Sequence, residues 1–279
     1  MTEFRAAPFK VACVQLRSSD DVAENIRQTA QLVRDAAARG ASFIATPENT
    51  TLMAPDGGAK LAHSFDEAQD PALPVFSDLA RELKVWLLIG SLAIKVSDTK
   101  TANRSFLFAP DGSVAARYSK IHLFDVSLAS GEAYKESDTV EGGSQAVLAQ
   151  TPLGAIGLSI CYDVRFPHLY RQLAQKGAFL FTVPSAFTVP TGQAHWHVLL
   201  RARAIENGAF VIAPAQGGLH ANGRKTYGHS LIVSPWGEIL AEAGTEPGVI
   251  IAEIDPTLSA QARGRLPSLL HDRAYRGPE

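Results

Sequence analysis

A chain of 279 residues that is 46% hydrophobic and 19% charged is long enough to bury a large core and has an ordinary globular balance. Its formal charge of -2, with no long lysine or arginine block, excludes a nucleic-acid partner. No stretch reaches the roughly 18 uninterrupted apolar residues of a membrane span, MTEFRAAPFK lacks an apolar signal core, and two cysteines are too few for a disulfide scaffold, so a cytoplasmic protein with free thiols is expected.

The first apolar run, Lys10 to Leu16, reads as a strand that takes Cys13 into the core as a small buried hydrophobe. A helix follows from about Ala23 to Arg39, then a strand from Ala41 to Thr46, a helix from about Val75 to Leu83 and a strand from Val85 to Ala93. SFLFAPDGSVAARY then predicts a hairpin turning at Asp111-Gly112. The second half repeats this order. LGAIGLSICYD answers FKVACVQL, AQKGAFLFTVPSAF answers AARGASFIATPENT, GAFVIAPAQGG answers KVWLLIGSLAI, and SLIVSPWGEILAEAG answers the hairpin. Solenoid units run about 20 to 50 residues, so a repeat this long predicts two β-α-β-α-β-β halves instead. Packed sheet to sheet with helices outside, they make an α/β fold, a four-layer α-β-β-α sandwich. No linker interrupts the chain, and residues 1–279 are expected to form one domain.

Three stretches carry chemistry. The strand from Ala41 ends in Thr46-Pro47-Glu48-Asn49, where proline stops the ladder and presents Glu48 at a sheet edge. After the hairpin, Lys120 is followed by Ile121, Leu123 and Phe124 rather than a hydrophilic loop, which predicts a partly buried, paired lysine. In the second half the run Ala155 to Ile160 reads as a buried strand that ends abruptly in Cys161, with Tyr162, Asp163, Arg165 and Phe166 following. Ligands bind outside the carboxyl ends of strands in open sheets, so Cys161 is a candidate nucleophile. A helix N-terminus beside it is expected to lower the thiol pKa and favour the thiolate.

Glu48, Lys120 and Cys161, in this order and these motifs, resemble the nitrilase superfamily of carbon-nitrogen hydrolases over nearly the whole chain. PSAFTVPTGQAHWHVLLRARAIE and TYGHSLIVSPWGEILA are most similar to its nitrilase-related amidase branch. The resemblance implies a catalytic Glu48, Lys120 and Cys161, a supporting Glu136, the same α-β-β-α sandwich and pairing into homodimers. Two histidines depart from the branch, His168 and His197 standing where relatives usually carry glutamate.

The chemistry implied is attack of Cys161 on a small amide, Glu48 acting as base and then acid, with Lys120 and the backbone N–H after Cys161, that of Tyr162, stabilising the oxyanion. A thioester follows, and water releases the acid; no cofactor is needed. The expected substrate carries a carboxylate at the far end of a short chain, as in deaminated glutathione or a related ω-amide, cleaved to acid and ammonia. Arg165, Arg201, Arg203 and His229 are the candidate carboxylate partners. Nitrile hydrolysis, N-carbamoyl amine hydrolysis and a non-catalytic binding module are the alternatives. His195-Trp196-His197 does not predict a metal site, because residues two apart on a helix do not face one another and no cysteine or carboxylate partner shows ligand spacing.

Overall fold

The first apolar run forms β1 (Phe9–Gln15) in the computed structural model, which describes residues 7–127 and 133–278. Val11 and Cys13 enter one apolar cluster and Ala12 and Val14 another, as a strand covered on both faces requires. Cys13 is fully buried, as expected of a core residue, and burial pushes its thiol far above the ordinary range. Asp21 caps α1 (Val22–Ala38) by accepting the Glu24 N–H at 3.0 Å. β2 (Phe43–Ala45), α2 (Gly57–Ala62), α3 (Ala72–Leu83), β3 (Trp86–Lys95), β4 (Thr101–Phe108) and β5 (Val114–Ser119) complete the first half. The β4–β5 hairpin turns where predicted, the Gly112 N–H donating to Ala109 O at 2.8 Å with a φ of 83° at Gly112.

A short ribbon, β6 (Asp125–Ser127) and β7 (Ala133–Lys135), leads to the second half. That half comprises β8 (Val147–Thr151), β9 (Gly154–Leu158), α4 (Pro167–Gln175), β10 (Leu180–Thr182), α5 (Val189–Asn207), β11 (Phe210–Ala213), β12 (Gly217–Leu219), β13 (Lys225–Tyr227), β14 (Leu231–Val233), β15 (Ile239–Glu242), β16 (Gly248–Ile254) and α6 (Thr257–Arg265). One sheet runs β16-β1-β2-β3-β4-β5 and the other β15-β14-β11-β10-β9-β8. The repeat is therefore real, with one feature that the sequence pattern misses. Each sheet gains a strand beside its first one: β16, from the end of the second half, crosses over to pair antiparallel with β1, and β8, just ahead of β9 in the chain, pairs antiparallel with it. These strands cover the edge that each first strand would leave unpaired.

Val33, Phe76 and Leu79 of the helices pack on Ala12, Ile44 and Leu87 of the first sheet. On its other face Val11, Phe43 and Leu88 join Ile156, Leu158 and Leu180 of the second sheet, which in turn carries Leu173 and Leu200 of α4 and α5. The layers are α-β-β-α, as expected.

The loops at the carboxyl ends of β2 and β10 meet over β3. A Cβ at Gly90 would lie 2.0 Å from Thr46 O and 2.5 Å from Pro184 Cβ, so only glycine lets the two halves close here. The β3–β4 register shifts between Ile89 and Leu92, lodging this contact in a bulge.

Candidate active site

Glu48 leaves β2 through a turn pinned from both halves. Asn49 takes a left-handed φ of 56°, its N–H donates to Ser91 Oγ at 3.0 Å, and Gln216 Nε2 donates to the Glu48 and Asn49 carbonyls, each at 3.1 Å. The Glu48 side chain is buried, and its acceptors are nearly filled. Oε1 accepts from Lys120 Nζ at 2.9 Å and Asn103 Nδ2 at 2.8 Å, while Oε2 accepts the Ala186 N–H at 3.0 Å. An oxygen with two lone pairs takes two donors, so Oε2 keeps one acceptor position open.

Lys120 is 2% exposed and lies between two carboxylates, its Nζ donating to Glu48 and, at 2.8 Å, to Glu136 Oε2. Burial alone would discharge it, but Glu136 and Glu48 outweigh burial and hold its pKa well above the ordinary lysine range. Glu136 also accepts the Phe124 N–H at 2.7 Å and Asn103 Nδ2 at 3.3 Å. Burial pushes its carboxyl up, yet the ammonium groups of Lys120 and Lys60 and these hydrogen bonds hold it at about 2.

Cys161 is 7% exposed and has a φ of 49°. That left-handed conformation costs a non-glycine residue about 1 to 2 kcal/mol and turns the side chain out of the sheet. The turn is held by Asp163, whose fully buried carboxylate accepts Tyr118 Oη at 2.6 Å and the Ile160 and His122 N–H groups at 2.9 and 3.0 Å. The segment after Cys161 is a 3-10 turn, Cys161–Arg165, and α4 begins only at Pro167. No α-helix N-terminus therefore adjoins the sulfur. Burial first, and then the Glu48 carboxylate, push the Cys161 thiol well above the ordinary range, against the opposing pull of Lys120. The shift runs against the expected resting thiolate and favours the neutral thiol, beside a carboxylate that can take its proton.

Cys161, Glu48, Lys120 and Glu136 share the wall of a cavity of about 370 Å³. The profile of the carbon-nitrogen hydrolase family matches residues 10–263, spanning this site and both halves of the sandwich. The chain belongs to the carbon-nitrogen hydrolase family. It is 42% identical over 269 residues to a deaminated glutathione amidase of Synechocystis sp., covering 95% of this chain and 98% of that one. It superposes on Saccharomyces cerevisiae Nit3, a member of branch 10 of the nitrilase superfamily, with a TM-score of 0.85 at 31% identity, covering 95% of this chain and 97% of that one. A Nesterenkonia amidase, whose structure shows the acetamide moiety of fluoroacetamide added covalently at its active-site cysteine, matches with a TM-score of 0.79 at 26% identity over 92% of this chain and 94% of that one.

Of the residues expected to bind carboxylate in this carbon-nitrogen hydrolase, only Arg165 lines the cavity, as does Tyr162 beside it. Arg165 lies 3.3 Å from His195 Nδ1 and packs over the Tyr162 and Phe187 rings. Arg201 instead donates to Gly237 O at 2.8 Å, tying α5 to the β14–β15 hairpin. Arg203, also on α5, braces the Cys161 turn from behind by donating to Val164 O at 2.8 Å. His229 hydrogen-bonds Glu242 at 2.9 Å, and His197 meets the same oxygen at 3.0 Å. His195 and His197 thus diverge, as residues two apart on a helix should, and His197 finds a carboxylate that no local spacing announced. His168 is exposed and lies edge-on to His122, ring centres 5.8 Å apart.

Asn103, Gln216, Lys60 and Arg224 were missed. The first two position Glu48, and the last two line the cavity. Nothing local singled out Asn103, which stands among Thr101, Arg104 and Ser105 in the half-polar strand TANRSFLF.

Proposed function

We propose that this carbon-nitrogen hydrolase is an amidase that cleaves a small carboxylate-bearing amide through a thioester on Cys161. The observation that carries the reading is the acceptor position that Lys120, Asn103 and the Ala186 N–H leave on Glu48 Oε2, in a cavity wall shared with Cys161. As sulfur attacks the amide carbon, the thiol proton passes to Glu48. Lys120 has three N–H donors, of which Glu48 and Glu136 take two; the third and the Tyr162 N–H are the donors for the oxyanion. Glu48 then gives its proton to the departing nitrogen, the C–N bond breaks, and the thioester remains. Water, deprotonated by Glu48, attacks the thioester; the acid leaves and the proton returns to sulfur. Glu136 and Asn103 keep Lys120 and Glu48 aligned throughout.

The relatives named deaminated glutathione amidase support that compound as a substrate. Its C–N bonds are secondary amides, so the leaving group is an amine, and ammonia is released only from a primary ω-amide. The decisive assay measures both products. Deaminated glutathione and a carboxylate-ended ω-amide are expected to exceed a neutral aliphatic amide of equal length at least tenfold in kcat/KM, with nitriles lower still. Preference for an uncharged nitrile, or carbon dioxide release from an N-carbamoyl amine as the main activity, would replace this reading.

The proposal includes one domain over residues 1–279, supported by an apolar cluster that joins both sheets, and a homodimer. Val198 and Ile205 of α5 lie exposed, as do Trp236, Ile239 and Leu240 of the β14–β15 hairpin. Arg201 links the two elements, and a second copy covering this face would bury the apolar residues. Light scattering is expected to give twice the 29.8 kDa chain mass, and Trp236→Glu to lower it toward one. No helix among the described residues is long and apolar enough to cross a membrane. Two unpaired cysteines support a cytoplasmic location.

A further inference from the structure

The cavity carries more positive charge than its own carboxylates neutralise. Lys120 is answered by Glu48 and Glu136, Lys135 by Asp138 at 3.2 Å, and Asp56 is engaged in capping α2 through the Ala59 N–H at 2.8 Å. Three cations of the wall remain, and of these Arg165 is held against His195 and the Tyr162 and Phe187 rings, which leaves Lys60 and Arg224. Among the described residues, Lys60 Nζ has no hydrogen-bond or ion-pair partner, and Arg224 has no carboxylate partner. Arg224 spends one nitrogen on Ala186 O at 3.1 Å and another on Met53 Sδ at 3.7 Å, and its Nε is buried without a partner.

Both residues are placed deliberately by the fold. α2 sits against the turn that follows Glu136: a Cβ on Gly57 would lie 2.5 Å from Thr139 Oγ1, so glycine is needed for α2 to approach and carry Lys60 over the cavity. Arg224 comes from the loop between β12 and β13 in the other half. Asn222 Nδ2 ties that loop to the segment entering α2, donating to Met53 O at 3.0 Å and Ala54 O at 3.1 Å. Burial, and with it the like charge of Arg224, lower the Lys60 pKa against the pull of Glu136 and Glu48. A bound anion would relieve the repulsion and give Lys60 Nζ the partner it lacks.

We infer that Lys60 and Arg224 form the anion subsite that holds the substrate's distal carboxylate, and so set the preference for carboxylate-ended amides. This rests on the amidase reading above. An arginine fork and a lysine point charge from opposite halves fix both the position and the direction of a carboxylate.

The test compares a carboxylate-ended ω-amide with its methyl ester in the wild type, Lys60→Met, Arg224→Gln and Arg165→Gln. In Lys60→Met and Arg224→Gln the ratio of the two kcat/KM values is expected to fall about 10- to 100-fold, chiefly through KM, with part of it restored in Lys60→Arg. Equal losses on both substrates, or a ratio that collapses only in Arg165→Gln, would overturn the assignment. Calorimetric titration of Cys161→Ala with glutarate decides the subsite independently of turnover. Glutarate binding that weakens at least tenfold when Lys60→Met or Arg224→Gln is added supports it; unchanged binding refutes it. A wild type that hydrolyses no amide would sink the amidase reading alone, because the glutarate titration still stands.

Discussion

Replacing Cys161 with alanine is expected to lower amide turnover by at least about 10⁴-fold, to the background of the assay, while leaving the fold intact. Alanine keeps a Cβ, so the left-handed turn at φ 49° carries the same strain in both proteins, and Asp163 still anchors it through the Ile160 and His122 N–H groups. The change removes one buried sulfur at a cavity wall, which limits the loss of stability to about 1 kcal/mol. A slow amide or ester substrate should leave an acyl mass increment on the Cys161 peptide of the wild type and none on the variant. Because burial and Glu48 keep the thiol protonated, kcat/KM should not climb as pH rises through about 8.5, where an ordinary cysteine ionises. Turnover by the alanine variant, or a wild type that never acquires the adduct, would remove covalent catalysis from this site.

Glu48→Gln is expected to cost about 10² to 10⁴ in kcat, because the amide cannot take the thiol proton and Oε2 is the only open acceptor beside Cys161. The isosteric side chain can keep a carbonyl oxygen toward Lys120, and Glu136 still answers the ammonium, so the fold survives. Lys120→Met should lower the rate comparably, by removing an oxyanion donor. Its effect on stability differs. It strands Glu48 and Glu136, both hydrogen-bonded to Asn103, with no cation between them, and a buried pair broken on one side costs about 3 to 5 kcal/mol. Adding Glu136→Gln to Lys120→Met should therefore recover stability without recovering rate. If Glu48→Gln acylates and turns over as fast as the wild type, Glu48 is not the base. If the double replacement recovers no stability, the two carboxylates are not coupled through Lys120.

The three residues at the centre of the site were picked out by the family resemblance, with a local signal at each. Glu48 follows a proline that ends a strand, Lys120 stands before apolar residues where a loop should be hydrophilic, and Cys161 ends an apolar run abruptly. The repeat, the α-β-β-α layering and the burial of Cys13 were likewise written in strand and helix patterns that a few consecutive residues display. The sequence offers Arg165, Arg201 and Arg203 as carboxylate partners without placing them, and only Arg165 lines the cavity. Arg201 and Arg203 are only two residues apart on α5, yet one ties a hairpin and the other braces the Cys161 turn.

By itself the sequence determined the type and order of the elements, the family resemblance, and which three side chains lie at strand ends. Tertiary structure decided the rest. Asn103 and Gln216 reach Glu48 across 55 and 168 residues, β16 crosses from the second half to complete the first sheet, and Lys60 and Arg224 line a cavity that neither segment encloses alone. It also shifted the balance at Cys161 from thiolate toward thiol. A thiol's ionisation depends on the burial and the summed fields of all the groups around it, and here Glu48, with the weight of burial, overrides the cation of Lys120. Those groups come from distant parts of the chain, and only folding sets the distances over which they act.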